Sequence, residues 1–393
     1  MSILLIIGIL LALLFNFVNG LNGAANSIAT IVATRALHPP RAIALASLFN
    51  FLGPFLFTAA IARTLGEGIL TPSGITPTLL LIAISAAAGL VILATFSGLP
   101  ISSTHALVGG LIGAGIALQG ADILILPGGD TLGSLGLAIA IGAGAGIILF
   151  LPIARTFQIP PIQSLYAGGV VGASLSITFL MISGTLYLSG ISAILVFIIV
   201  SPILGFLAAF LFDVLISYLF RHSRQNIRRR IFRPLHVAGS AFQATSHGGH
   251  DGQHAIAIIT ALLIAEGVLG EFIVPLWVTA ASAAAIGLGT LFGGWGVIER
   301  VAKKITRIRP YQGFSATISG GMVLSAVITA GIPVSTTHVI NGTIVGVGMT
   351  RGKSAVQWNV FRTIIVGWLI TIPLAILVSW VIGYAFRLLA PGI

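Results

Sequence analysis

Long apolar runs separated by short polar breaks occupy most of the chain. Ile3 to Phe15, Ala42 to Ile61, Leu79 to Ala94, Leu137 to Leu151, Ile191 to Phe212, Ala255 to Leu269, Val274 to Phe292 and Ile364 to Ala385 are nearly uncharged. A helix needs roughly 20 apolar residues to cross a bilayer. Several runs reach that length, whereas Ala106 to Leu118 does not. The pattern predicts about ten to twelve membrane segments, some half-length or broken. One signal peptide or anchor cannot produce apolar runs along the whole chain. The expected fold class is all-α, a polytopic transmembrane helical bundle.

Composition agrees: 57% of the 393 residues are hydrophobic and only 7% charged. A soluble domain needs more charge than that to cover its surface. The 49 glycines and 17 prolines exceed what simple spanning helices use. Scattered Gly suits close helix packing. Gly clustered with Pro and Ser/Thr suits unwound backbone, tolerated at membrane depth only beside protein or a wet cavity.

The net charge of +11 would suggest nucleic acid in a soluble protein. Here it sits mainly in loops. Arg221, Arg224, Arg228, Arg229, Arg230 and Arg233 form one basic segment; Arg300, Lys303, Lys304, Arg307 and Arg309 form another. Both are expected to face the cytoplasm and touch anionic lipid headgroups. The chain has no cysteine, which excludes disulfides and thiolate metal sites.

The sequence also repeats itself. Gly98-Leu-Pro-Ile-Ser-Ser-Thr-His105 and Gly331-Ile-Pro-Val-Ser-Thr-Thr-His338 stay in register, with their following residues, for sixteen positions without a gap. An earlier pair is Asn19-Gly-Leu-Asn-Gly-Ala-Ala-Asn26 and Ser246-His-Gly-Gly-His-Asp-Gly-Gln253. The two elements stand 75 residues apart from Gly23 to Gly98, and 80 from Asp251 to Gly331. We therefore divide the chain into a first repeat (1–119), connecting transmembrane helices with a basic loop (120–234), and a second repeat with C-terminal helices (235–393). An odd number of crossings between the copies would invert them, and such repeats suit alternating access around a site at their interface.

The later element has the chemistry of an anion site. Pro100 and Pro333 disfavour a continuing helix before them. Ser and Thr then cap a new helix, whose start offers free N–H groups and the positive end of the dipole. Ser102, Ser103, Thr104, Ser335, Thr336 and Thr337 could add hydroxyl donors to a tetrahedral oxyanion. His105 and His338 are expected to brace the turns by hydrogen bonding, the alternative being an imidazole that senses or carries a proton. In the earlier element, Asn19, Asn22 and Asn26 fall at i, i+3 and i+7, on one side of a helix. Gly20 and Gly23 invite a break there, and Asn22 and Asn26 with freed carbonyls make a candidate hard-cation site. Asp251 is the one carboxylate in the four motifs, and an acid at membrane depth is a functional site by default. His247, His250 and His254 lie close together in what reads as a Gly-rich turn, without a matched metal-ligand set.

Taken together, Asn19 to Thr30, Gly98 to His105, Ser246 to Gln253, Gly313-Phe-Ser315 and Gly331 to His338 resemble the inorganic phosphate transporter (PiT) family along nearly the whole chain. The resemblance implies a membrane carrier of phosphate with coupled Na⁺ or H⁺, built of inverted repeats whose broken helices meet centrally. It implies substrate binding by Ser102, Ser103, Thr104, Ser335, Thr336, Thr337 and Gln253, cation coupling by Asn22, Asn26 and Asp251, and support from His105 and His338. The chain departs from the family's usual Asp at Gly23, from Asn at His250, from Lys at His254 and from Glu at Thr317; the matching place in the first half is Asn50. Fewer acids imply reduced or altered coupling, with one cation site, or H⁺ through Asp251 and nearby His.

The expected partners are inorganic phosphate, Na⁺ or H⁺, membrane lipid and a second copy in a homodimer, with no nucleic acid. No catalytic residue, metal site or cofactor is expected, apart from Na⁺ as a coupling ion. The expected location is the plasma membrane. Competing readings are a sulfate or other oxyanion permease and an uncoupled anion channel. No nucleophile–base pair or nucleotide loop points to an enzyme.

Overall fold

The computed structural model describes residues 2–98, 101–156, 160–188, 190–293 and 308–390, the side chains of 153 and 156 excepted. Leu99 and Pro100 of the first Pro-Ser-Thr turn, and Arg300, Lys303, Lys304 and Arg307 of the second basic segment, lie outside the described residues. The helices are α1 (Ile3–Ala33), α2 (Pro39–Leu56), α3 (Ala60–Glu67), α4 (Pro77–Phe96), α5 (Ser103–Gln119), α6 (Gly129–Thr156), α7 (Pro161–Ile182), α8 (Gly190–Leu219), α9 (Gln225–Asp251), α10 (Gln253–Ala265), α11 (Leu276–Phe292), α12 (Pro310–Thr329), α13 (Thr336–Met349) and α14 (Trp358–Leu389).

Among the described residues, six helices are long and apolar enough to cross a membrane: α1, α4, α6 up to Pro152, α7, α8 and α14. The pair α2 and α3, bent by 75°, makes a seventh when taken as one span. The shorter helices α5, α10 and α13 are almost wholly buried, so protein rather than lipid surrounds them. The chain is a multi-pass helical membrane protein.

Two expectations about helix breaks need correction. Helix α1 runs unbroken through Asn19, Gly20, Asn22, Gly23 and Asn26. It starts on Ser2, whose Oγ accepts from the Leu5 amide at 3.1 Å, and ends just before Arg35, where φ turns to 55°. Gly20 serves close approach instead: a Cβ there would lie 2.4 Å from the Ile286 carbonyl of α11. With no unwinding, no carbonyl is freed beside the asparagines. Likewise Ser246 to Gln253 is helical and not a loop-to-helix turn. Gly252, between α9 and α10, has φ −60° and ψ −27°, and its amide still donates to Gly248 O at 2.8 Å.

True interruptions precede α5 and α13. Extended backbone at Ser102 (φ −92°, ψ 114°) and Ser335 (φ −86°, ψ 113°) starts each helix in the interior. Glycines then seat each helix against a long neighbour. A Cβ on Gly109 or Gly113 of α5 would lie 2.8 or 2.3 Å from the Ile372 or Ile376 carbonyl of α14. A Cβ on Gly342 or Gly346 of α13 would lie 2.3 or 2.4 Å from the Pro202 or Phe206 carbonyl of α8. Each pair is a small-xxx-small stripe, which lets membrane helices pack backbone to backbone. Helices α6 and α7 pair through Gly142, Gly146, Gly168 and Gly172 and are otherwise largely exposed.

Candidate functional site

The two Ser/Thr turns meet. Ser102 Oγ accepts from the His105 amide at 3.2 Å, and Ser335 Oγ accepts from the His338 amide at 3.4 Å. Both serines therefore act as N-caps, satisfying amides that have no partner within the helix. The threonines reach across: Thr104 Oγ1 donates to Val334 O at 3.1 Å, and Thr337 Oγ1 donates to Ile101 O at 3.5 Å. Ile101 and Val334 hold the same place in the repeated motif, as do Thr104 and Thr337. The contact is thus made twice, each half lending a hydroxyl to the other.

Both polar helices converge on this junction, again crosswise. Asn26 Nδ2 of α1 donates to Thr337 Oγ1 at 3.0 Å. His254 Nε2 of α10 lies 3.1 Å from Thr104 Oγ1. Aligning Gly23 with Asp251 makes Asn19, Asn22 and Asn26 the counterparts of His247, His250 and His254, each 228 residues later. A triad of amides in one half faces a triad of imidazoles in the other. The shared i, i+3, i+7 spacing was visible in the sequence and is the signal that marks all three histidines.

Hydrogen-bond roles assign most of the imidazole protons. Thr104 Oγ1 gives its proton to Val334 O, so it accepts from His254 Nε2–H; His254 Nδ1 then accepts from Asn19 Nδ2 at 3.3 Å. The Val334 amide donates to His250 Nε2 at 3.3 Å, so His250 donates from Nδ1 to Asp251 Oδ1 at 3.0 Å. Thr290 Oγ1 donates to Ile286 O, so Asn50 Nδ2 donates to Thr290 at 2.9 Å, which turns Asn50 Oδ1 toward His247 Nδ1 at 3.2 Å. His247 Nδ1 therefore carries a proton. Its Nε2 lies 3.4 Å from Asp251 Oδ2, which also accepts from Thr336 Oγ1 at 3.4 Å. A ring nitrogen and a carboxylate oxygen face each other there, and only a shared proton makes that contact attractive.

His247 also explains Gly23. A Cβ at position 23 would lie 2.6 Å from His247 Cε1. The imidazole fills the space that a side chain on α1 would need. The expectation of no metal-like grouping is corrected in one respect: His250, Asp251 and His254 bring ligand-capable atoms within 4.8 Å of one another. In this structure the lone pairs of His250 Nε2 and His254 Nδ1 accept protein hydrogens, as described.

Other predicted residues sit further out. Gln253 turns away from the turns: its Oε1 accepts from the Ala62 amide at 3.0 Å and its Nε2 donates to Gly249 O at 2.8 Å, bracing α3. Asn22 donates to Thr95 Oγ1 at 3.0 Å. Ser103 is buried in the first turn of α5. The His105 and His338 rings meet edge to face, their centroids 4.9 Å apart. His338 also lies 3.9 Å from Trp368 and points Nδ1 at Ile198 O. Thr317 folds its hydroxyl back onto Gly313 O. Sequence reasoning missed Gln243, whose Nε2 donates to Asn26 O at 3.0 Å, and the His236 link between Thr30 and Thr34. Both lie on the helix that carries His247, Gln243 four residues and His236 eleven residues before it, which was the available signal.

By its architecture the chain is a polytopic helical membrane protein with two crossed, hydroxyl-capped helix starts at its centre. Comparison with known proteins is specific: the phosphate transporter family profile matches residues 19–167 and 162–379. The chain belongs to that family, one of transporters and not enzymes. It is 37% identical over 388 residues to a Rhizobium meliloti protein described as a probable low-affinity inorganic phosphate transporter, covering 98% of each. A Bacillus subtilis protein of the same description is 32% identical over 381 residues, 95% of this chain and 96% of that one. A solved structure titled "The sodium-dependent phosphate transporter" superposes with a TM-score of 0.69 at 24% identity, covering 98% of this chain and 100% of that one, a likeness of fold.

Proposed function

We propose that the protein carries inorganic phosphate across the plasma membrane by alternating access, with H⁺ as the coupling ion and the basic loops on the cytoplasmic side. The observation that supports this most is the crossed junction. Two helix N-termini with capping hydroxyls meet inside the bundle, where backbone N–H groups and the dipole ends favour an oxyanion without a full positive charge. Thr104 and Thr337 are bonded to carbonyls here, so an oxyanion enters by replacing those contacts. Ser103 and Thr336 stand in the same first turns. Moving one half against the other opens the Thr104–Val334 and Thr337–Ile101 contacts together, which links occupancy to conformation.

The proton reading rests on the partner geometry of His247. Its Nδ1 is committed to Asn50, so the His247–Asp251 contact holds together only while it keeps a proton. Releasing that proton leaves two acceptors face to face at 3.4 Å. In this reading the imidazole over Gly23 serves where a bound cation would otherwise be needed, and Na⁺ is not required.

Uptake of labelled phosphate into proteoliposomes, with Na⁺ and pH gradients imposed separately, tests the proposal. An inward proton gradient is expected to drive accumulation and a Na⁺ gradient to leave it unchanged. Accumulation driven by Na⁺ alone would refute the proton reading, and equal competition by sulfate would refute phosphate selectivity.

A further inference from the structure

Away from the central junction, the structure holds a polar cavity of about 590 Å³ where the basic segment before α9 meets the start of α12. Arg228, Arg229, Arg309, Ser223, Thr34 and Tyr311 line it. The three guanidiniums come from chain segments about 80 residues apart. Among the described residues no carboxylate lies in ion-pair range of them; the ion pairs are Arg63 with Glu67, and Asp251 with His247 and His250. Arg228 is held in place by donating from Nη2 to Arg221 O at 2.8 Å, and its buried Nε has no partner. Positive charge is gathered around an opening, without an ion-pair partner among the described residues. A guanidinium presents paired N–H donors that fit two oxygens of one phosphoryl group, and hydroxyls nearby can serve the remaining oxygens.

The cavity also connects inward. Thr34, in its wall, lies 3.1 Å from His236 Nδ1, and His236 Nε2 lies 3.2 Å from Thr30 Oγ1. Thr30 is one helical turn along α1 from Asn26, which holds Thr337. A line of polar side chains therefore runs from the cavity to the central junction, closed here by the Thr34–His236–Thr30 contacts.

We propose that this cavity is a second site for a phosphoryl anion, supplied either as free inorganic phosphate or as the headgroup of an anionic phospholipid. The positive field of three arginines concentrates such anions at the opening. The binding does not depend on the central junction being the transport site, and the test keeps the two apart.

The full-length protein is placed in nanodiscs of phosphatidylcholine alone or with phosphatidylglycerol, and equilibrium binding of radiolabelled inorganic phosphate is measured alongside phospholipid retained through extraction. The variants are Arg229→Gln/Arg309→Gln and, with a loss of charge in the same segment but outside the cavity, Arg221→Gln. If free phosphate is the ligand, wild type shows a salt-sensitive class of binding that weakens at least about tenfold in the double variant and is kept in Arg221→Gln. If the headgroup is the ligand, wild type retains phosphatidylglycerol that the double variant releases. Identical behaviour of the double variant and Arg221→Gln in both measurements overturns the proposal. Thr104→Val reads the central junction separately, because it leaves the salt-sensitive class untouched. Should the double variant not give a monodisperse protein, Arg309→Lys keeps the charge and removes the paired donors. It is expected to weaken the same binding about threefold while Arg221→Gln leaves it unchanged; no weakening in Arg309→Lys overturns the proposal.

Discussion

Helix α1 and the α9–α10 pair present the same geometry with different chemistry. Asn19, Asn22 and Asn26 stand at the spacing of His247, His250 and His254, and each triad reaches the opposite half's threonine. An amide has fixed donors and acceptors. An imidazole has one of each when neutral and two donors when charged. The asparagine arm can therefore exchange hydrogen-bond partners but cannot change charge. The histidine arm can do both, and it alone carries an acid. A duplicated scaffold thus carries two kinds of arm: both grip the junction, and in the proton-coupled reading proposed above one of them also titrates. The predictions below break or sharpen that difference.

Asp251→Asn attacks the histidine arm where it differs most. It removes the negative charge and turns one of the two oxygens that face His250 Nδ1, Thr336 Oγ1 and His247 Nε2 into an NH2 donor. Breaking a buried charged pair costs about 3–5 kcal/mol. Accumulation of labelled phosphate against its gradient is expected to fall at least about 100-fold, by the tenfold-per-1.36-kcal/mol relation. Phosphate exchange without a gradient is expected to survive at a reduced rate. Uphill uptake persisting in this variant would show that Asp251 does not couple.

Gly23→Asp puts an acid on the asparagine arm. The His247 ring already occupies that space, so the single variant is overpacked and is expected to lose about 1–3 kcal/mol of stability. Gly23→Asp with His247→Asn empties the space and should recover most of that loss in thermal unfolding. The two changes are in contact and are expected to be non-additive by about 1–3 kcal/mol. Transport by the double variant is expected to lose its response to a proton gradient.

Thr104→Val and Thr337→Val test what the arms share. Each removes one hydroxyl that bonds across the junction and accepts from the opposite arm. A hydrogen bond of this kind contributes about 1 kcal/mol, so each is expected to raise the KM for phosphate about five- to tenfold. Matched effects in uptake kinetics support a two-sided junction. An effect confined to one threonine would assign the substrate to that half.

Much of this arrangement was legible in the sequence, for identifiable reasons. Apolar runs report membrane spans because lipid tolerates little else, and Pro333 with Ser335 marked a helix start that the structure contains. Gly20 and Gly23 misled because glycine serves two purposes that look alike in sequence. One is unwinding; the other, realised here, is room for the Ile286 carbonyl and the His247 ring. Gln253 entered the expected site through the family resemblance; its side chain here bonds the Ala62 amide of α3, a direction that depends on where the bent α2–α3 pair packs. The His247–Asn50 contact joins residues 197 apart and had no local signal.

The mildest test exchanges one member of the triads. His254 donates to Thr104 from Nε2 and accepts from Asn19 at Nδ1. It also sits edge-on to Phe15, their ring centroids 6.2 Å apart. Asn26 performs the matching task on the other arm with an amide donor at 3.0 Å. His254→Asn should therefore keep the grip on Thr104 while losing the Asn19 and Phe15 contacts, at about 0.5–1.5 kcal/mol. Phosphate uptake is expected to stay within about threefold of wild type, with the proton response intact because His247 and Asp251 are untouched. Loss of the proton response in His254→Asn would move titration away from His247 and spread it along the whole histidine arm.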